Sequence, residues 1–274
     1  MKILVFIIAL LTMHVQADVT VRIGLDGVVL AAKQRGELFR MLGYYTQLLT
    51  RQNYHYPDEN LQKNINEYEE ILTQFAHTFS DNTIQQTLAN SLSIWKSIKS
   101  ELQQAIKTGR TQRLEAAKVQ KLLDSILLLC DDMKTIQKIL SSQNLIPEVQ
   151  LESQASSDIT ESSARLSTYY LINTSHLASL IDQETVAKSS QTYKAAFKKL
   201  EASTFNQGKI FQKRFKGLKK IHYFNTMTAL YSKTAIPALM IKKNNKAFLD
   251  AFVSLKLITA ASTEGIDKTV KMFF

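Results

Sequence analysis

One segment near the N-terminus carries a clear helical pattern and reads Ala31-Ala32-Lys33-Gln34-Arg35-Gly36-Glu37-Leu38-Phe39-Arg40-Met41-Leu42-Gly43-Tyr44-Tyr45. Five apolar positions recur at intervals of seven, four, three and four residues. They are Ala31, Leu38, Leu42, Tyr45 and, just beyond the quoted segment, Leu49. This spacing places the five side chains on one face of an α-helix. The segment therefore predicts an amphipathic helix whose apolar face lies against a core.

The same spacing continues through most of the chain. Three further apolar stripes comprise Ile71, Leu72, Phe75 and Phe79; Leu88, Leu92, Trp95 and Ile98; and Leu122, Leu123, Ile126, Leu129 and Met133. Helix starts are predicted at Pro57-Asp58 and at Ser80-Asp81, because Pro and Asp are typical of first turns and N-caps. We predict an all-α fold of antiparallel helical bundles, since short turns join successive helices.

The composition excludes several other classes. The chain has 274 residues, 45% of them hydrophobic, with 8 Gly, 3 Pro and 1 Cys. So few turn residues argue against a many-stranded β-protein. One cysteine allows neither an intrachain disulfide nor a cysteine-based zinc cluster, and we expect Cys130 to pack as a small buried hydrophobe.

The N-terminus has the parts of a secretory signal peptide. A charged start precedes an apolar run from Ile3 to Leu11, and Val15 and Ala17 occupy the −3 and −1 positions of a cleavage site. The run is shorter than the about 20 residues that span a bilayer. We therefore expect residues 1–17 to be removed and the mature protein to be periplasmic or secreted from a bacterium. The alternative is an uncleaved N-terminal anchor.

A break near the middle divides the mature chain. Pro147 interrupts the helical pattern, and the stretch from there to Asp158 is rich in Ser and Gln, which is typical of a linker. We therefore predict a first helical module over residues 18–150 and a second over residues 151–274.

The second module repeats the first weakly. Three motifs recur in order at an offset of 125 or 126 residues: Tyr44-Tyr45 as Tyr169-Tyr170, Tyr68-x-x-x-Leu72 as Tyr193-x-x-x-Phe197, and Leu122-Leu123-Asp124 as Phe248-Leu249-Asp250. A fixed offset favours duplication over chance similarity between amphipathic helices. The prediction is two tandem antiparallel modules, each resembling a four-helix bundle.

Arg35 interrupts the apolar stripe of the first helix. A guanidinium on a core-facing stripe needs a counter-charge, because a bare buried charge costs several kcal/mol. No acid lies three or four residues from Arg35, so its partner is either distant in sequence or a bound anion. From the residues alone, an acid on another helix or a position at the edge of the stripe is favoured.

This segment resembles the box that opens the periplasmic domain of nitrate sensor kinases and of the type IV pilus chemotaxis transducer. That box reads roughly Ala-Gly-Arg-Gln-Arg-Met-Leu-Ser-Gln-Arg-Met-Ala-Lys-x-Tyr. The chain matches it at Ala31, Gln34, Arg35, Arg40, Met41 and Tyr45, and departs from it at Gly36, Glu37, Leu38, Phe39, Leu42 and Gly43. The resemblance extends over most of residues 28–265, with two modules as in many members.

The resemblance implies a sensory domain that binds a small anion such as nitrate. The ligand arginine would be Arg35, with Gln34 and Arg40 as second candidates, and the family implies a homodimer. The second box is eroded, because Arg165 corresponds to Arg40 whereas Thr160 stands where Arg35 would recur. No cofactor is implied, and signalling would require a membrane-bound or envelope partner.

Charge is concentrated in the second half. Residues 1–150 hold 16 Lys and Arg against 15 Asp and Glu, whereas residues 151–274 hold 18 against 9. The densest basic run spans residues 209–220, and its candidate contact residues are Lys213, Arg214, Lys216 and Lys219. They predict either contact with an anionic surface or acidic partner, or merely a solvated helix face. We expect no nucleic-acid binding in an exported helical chain.

Catalytic motifs are missing from the sequence. The histidines of the mature chain form no metal-binding pair, and no phosphate-binding glycine loop or nucleophile elbow is present. We expect the pairs Glu69-Glu70 and Asp131-Asp132 to lie on solvated helix faces. The sequence thus predicts a non-enzymatic protein, either an anion-sensing module or an interaction module that docks through its basic half.

Overall fold

A computed structural model describes residues 2–51, 56–109, 113–145, 147–175, 177 and 180–201. They form the helices α1 (Lys2–Leu49), α2 (Pro57–Thr78), α3 (Asn82–Thr108), α4 (Ala116–Asn144), α5 (Pro147–Thr174) and α6 (Gln183–Glu201). No strand occurs in these residues, which confirms the all-α prediction. Within the same residues, no helix combines the length and the apolar character that crossing a membrane requires.

Two predicted helix starts are confirmed. α2 begins at Pro57, a residue that suits a first turn because its missing N–H would have no partner there. α3 begins after Asp81, whose carboxylate accepts hydrogen bonds from the backbone N–H of Thr83 at 2.9 Å and of Ile84 at 3.1 Å. This N-cap satisfies two of the free donors at the start of α3.

The helices α1 to α4 form a ring in which each packs on the next and α4 returns to α1. Lys33 of α1 pairs with Glu67 of α2, and Asn64 donates to Glu37, so α1 and α2 are antiparallel. Their inward faces make one continuous apolar core. The ring has the arrangement of an up-and-down helical bundle.

The predicted apolar stripes are largely buried, with one clear error. Leu92 is 38% exposed, although its spacing placed it on the stripe of α3. Ser91 takes the inward position instead and donates to Asp132 of α4 at 2.8 Å. Phe79 is only half-buried, whereas Cys130 is buried as expected.

The linker predicted after Pro147 is wrong. Residues 147–174 form α5, and Pro147 is its first residue, where proline is tolerated. Ser and Thr side chains of α5 are small enough to pack closely on α1. A Cβ added at Gly36 would lie 3.0 Å from Thr160 Cγ2, and one added at Gly43 would lie 3.3 Å from Thr168 Oγ1. In place of a linker, the middle of the chain has a short break between the end of α4 at Asn144 and the start of α5 at Pro147.

α5 runs parallel to α1, in the register of the sequence repeat. Hydrogen bonds between the two helices join residues 123, 126 and 129 positions apart. Helix boundaries recur at the same offset. α5 ends 125 residues after the end of α1, and α6 begins 126 residues after the start of α2. α6 packs on α5 as α2 packs on α1. A complete second four-helix module stays a prediction, since residues 202–274 lie outside the described part of the chain.

Candidate functional site

Arg35 lies at the junction of α1, α4 and α5. Its side chain is 1% exposed, which confirms that the residue interrupting the apolar stripe is buried. Its counter-charges are Asp158 and Glu161 of α5. The expectation of an acid on another helix is therefore confirmed.

The guanidinium of Arg35 makes hydrogen bonds with all three of its nitrogen atoms. Nε donates to Glu161 Oε2 at 2.8 Å, Nη1 to Gln137 Oε1 at 2.9 Å, and Nη2 to Asp158 Oδ1 at 2.5 Å. Nη2 is also 2.5 Å from Glu161 Oε2. This arrangement uses the planar fork of arginine on two carboxylates at once.

The charges around Arg35 balance. Burial by itself would lower the pKa of Arg35, but the carboxylates of Glu161 and Asp158 outweigh it, so the pKa lies above its ordinary value. Glu161 is shared with Arg165 of α5, whose guanidinium also stacks 4.7 Å from the ring centroid of Phe39. Two arginines thus face two acids in a cluster whose opposite charges offset one another.

A second set of contacts orients the partners of Arg35. Gln137 donates through Nε2 to the hydroxyl of Ser157 at 2.7 Å, and Gln154 donates to Asp158 at 2.7 Å. Both donors leave the carboxylate and amide oxygens directed at Arg35. The cluster joins three helices through side chains that have little freedom to rearrange.

The three residues predicted to bind an anion do not converge. Gln34 is fully buried, and neither its amide nitrogen nor its amide oxygen has a hydrogen-bond partner. Arg40 pairs with Glu37 one turn earlier on α1, and Glu37 also accepts from Asn64 of α2. Arg35, Gln34 and Arg40 therefore face three different surroundings.

The predicted contact residues Lys213, Arg214, Lys216 and Lys219 lie outside the described residues. Nothing in the structure bears on their role.

Sequence reasoning missed Asp158, Glu161 and Gln137. Asp158 and Glu161 flank Thr160, the position that corresponds to Arg35 in the second module, so the repeat offset contained the signal. The prediction of a linker ending at Asp158 concealed the role of that residue, because residues in a linker have no defined face. Gln137 had no signal, since a buried glutamine on α4 looks like any polar residue of an amphipathic helix.

One member of each acidic pair expected on a solvated face also joins two helices. Glu69 accepts from Trp95 Nε1 at 3.0 Å and pairs with Lys99, so it links α2 to α3. Asp132 accepts from Asn90 and Ser91, so it links α4 to α3. Glu70 and Asp131 are exposed, as expected, whereas Glu69 and Asp132 are partly exposed and also bond to the neighbouring helix.

The described residues offer no group of three or more His, Cys, Asp and Glu side chains suited to a metal ion. Cys130 is buried, and burial first, followed by the nearby Glu161, raises the pKa of its thiol well above the ordinary value. A protonated, enclosed thiol is a poor nucleophile. Among the described residues, the site brings together charged side chains of α1 and α5 and the amide of Gln137 on α4.

Comparison with known proteins yields no match. No family model matches the chain, and neither a curated protein nor a solved structure does.

Proposed function

We propose that this chain is an exported, non-enzymatic helical interaction module that docks on an envelope partner or an anionic surface through its basic second half. The observation that favours this function over anion sensing is the state of Arg35. All three guanidinium nitrogens are bonded to Gln137, Asp158 and Glu161. An arginine that recognises a small anion needs a free edge of the guanidinium for it.

The charge distribution supports the docking surface. The net charge of +10 comes almost entirely from residues 151–274, where Lys and Arg outnumber Asp and Glu by 18 to 9. The run at 209–220 holds basic residues and no acid. Such a face attracts anionic lipid or an acidic protein, and each basic residue near an anionic membrane contributes about 1 kcal/mol.

The test replaces Lys213, Arg214, Lys216 and Lys219 with Gln. We expect binding to vesicles containing phosphatidylglycerol, or capture of the partner from an envelope extract, to fall by at least about tenfold. The matched control replaces four exposed lysines of the first module with Gln, namely Lys96, Lys121, Lys134 and Lys138. Binding that falls equally in both variants, or in neither, contradicts the proposal.

A second experiment tests anion sensing through Arg35, which requires the native protein to bind a small anion. Titration calorimetry of the native protein with nitrate, nitrite and sulfate is expected to give no binding heat. The variant Asp158→Asn with Glu161→Gln removes the counter-charges of the guanidinium, so its thermal stability should rise with added nitrate or sulfate, whereas that of the native protein should not. Binding heat from the native protein would restore the sensory function implied by the resemblance to nitrate sensors.

Export is part of the same proposal. Expression in a bacterial host, followed by N-terminal sequencing of the periplasmic fraction, should give a chain that begins near Asp18. A protein retained in the membrane with Met1 intact would instead support the uncleaved anchor.

A further inference from the structure

Gln34 stands out among the described residues because its amide nitrogen and its amide oxygen are both buried without a hydrogen-bond partner. Helical spacing puts it on the face of α1 that carries Ala31, Leu38 and Met41, all fully buried. The neighbouring Arg35 instead reaches α4 and α5. The Gln34 amide therefore lies in the interior of the α1–α4 bundle, apart from the Arg35 cluster.

The contacts of adjacent residues fix the level of Gln34 within the bundle. Lys33 pairs with Glu67 of α2, and the carbonyl of Arg35 accepts from the thiol of Cys130 of α4. The inward residue next to Glu67 is Tyr68, which is fully buried. A polar layer therefore crosses the bundle at this level.

α3 contributes to the same layer through Ser91, which is fully buried. Its hydroxyl donates to Asp132, two residues beyond Cys130 on α4. Burial, with Cys130 and Asp132 as neighbours, raises the pKa of Tyr68 well above its ordinary value, so its phenol stays protonated. The groups that face inward here are an amide, a phenol, a hydroxyl and a thiol, none of them charged.

A buried amide that gives up its bonds to bulk water without replacing them destabilises the fold. Native proteins satisfy such groups with enclosed water molecules, each bound by two to four polar partners. Helical bundles build binding sites in this way, from facing side chains in their interior. We propose that the Gln34 amide binds a water-sized, uncharged hydrogen-bonding guest inside the bundle, at the level of Tyr68 and Ser91.

The test compares two buried glutamines of the same bundle. Gln34→Met removes the amide at nearly constant volume, and Gln137→Met does the same where both amide atoms have visible partners. If Gln34 holds a guest, both substitutions should lower the midpoint of thermal unfolding, by about 2–8 °C. If no guest is bound at the Gln34 amide, Gln34→Met should raise the midpoint of thermal unfolding or leave it unchanged. Either result would overturn the proposal.

A measurement on the native protein covers the case in which Gln34→Met fails to fold. Rotating-frame Overhauser spectra should show direct transfer from water protons to the side-chain amide protons of Gln34, and none to those of Gln137. Transfer to Gln34 supports a long-lived enclosed water. Its absence at Gln34 rejects the proposed guest.

Discussion

The two sides of α1 make contacts of opposite chemistry. The side that faces the bundle interior presents Leu38, Leu42 and Tyr45, all of them fully buried in a large apolar core. The side that faces α5 presents Arg35 and two glycines against carboxylates and small hydroxyl side chains. One helix thus takes part in an apolar interface that tolerates many substitutions and in a charged, closely packed interface that tolerates few.

The difference shows how each interface is specified. Apolar side chains of suitable volume fill a core in many combinations. The bundle side of α1 therefore requires buried apolar residues but specifies few particular ones. A buried charge cluster has few satisfied arrangements, because displacement of one partner leaves an unpaired charge. The α5 side therefore restricts the register of α5 against α1 more tightly than apolar packing alone would.

Removal of the charge at the junction should have the largest effect. Arg35→Met leaves two carboxylates, Asp158 and Glu161, with Arg165 as the one cation still paired to the cluster, and we expect a loss of about 3–5 kcal/mol in the free energy of unfolding. Urea denaturation measures the loss, and hydrogen exchange should rise more in α5 than in α2. Addition of Asp158→Asn and Glu161→Gln should restore much of it.

Arg40→Met is the matched control for the charge. Arg40 pairs only with Glu37 one turn away among its described ion pairs, and it is less deeply buried than Arg35. We expect its removal to cost less than that of Arg35, about 1–3 kcal/mol, because a single carboxylate loses its cation and Glu37 keeps its hydrogen bond from Asn64. Equal losses for Arg35 and Arg40 would contradict a special role of the junction.

A cavity on the bundle side should rank second. Leu38→Ala removes a fully buried side chain and should cost about 3 kcal/mol. Hydrogen exchange should then rise across α2, α3 and α4 rather than in α5 alone. Leu92→Ala, at a position 38% exposed, should stay within about 0.5 kcal/mol of the native protein.

Overpacking of the α5 side should follow. A Cβ at Gly36 already comes within 3.0 Å of Thr160 Cγ2 and 3.5 Å of the Thr160 carbonyl oxygen, so a leucine there forces the helices apart. Gly36→Leu is expected to cost about 1–3 kcal/mol by chemical denaturation. Gly36→Ala should cost far less, because Thr160 can rotate and alanine favours the helix by about 1 kcal/mol. A well-tolerated leucine would show that close approach is unimportant.

The smallest expected effect is the pH dependence of the stability that Glu69 contributes at the bundle surface. Burial would raise the pKa of Glu69, but hydrogen bonds from Lys99 and Trp95 outweigh it and hold the pKa below its ordinary value. The stability that this carboxylate contributes is present above the ordinary pKa and is lost as pH falls through the lowered one. Glu69→Gln should therefore cost a few tenths of a kcal/mol at about pH 7 and almost nothing at about pH 2.5. A loss of equal size at both pH values would contradict the role of its charge.

Much of the fold was predictable because the signals are local. Helix spacing depends on residues within two turns of one another, and the starts at Pro57 and Asp81 depend on single residues. The same locality explains the error after Pro147. Ser and Gln are frequent in linkers, and only the glycines of α1, more than 100 residues away, make a small-residue helix favourable there.

Of the candidate site, Arg35 was predictable from the sequence and its partners were not. A charged residue on an apolar stripe is visible in the sequence, so Arg35 and its need for a distant partner were expected. The identity of that partner required knowledge of which helices are neighbours. The expected grouping of Arg35 with Gln34 and Arg40 came from a motif, and a motif does not state which way each side chain of a helix points.

The sequence by itself determined the helices, their apolar faces and the need to neutralise Arg35, because these depend on spacing along one chain and on the cost of burying a charge. The tertiary structure alone decided that Asp158, Glu161 and Gln137 meet that need, because contacts across more than 100 residues depend on which helix faces pack together. It also separated Gln34 from Arg35. Adjacent residues on a helix point about 100° apart, and Arg35 is hydrogen-bonded to α4 and α5 whereas the Gln34 amide has no hydrogen-bond partner among the described residues.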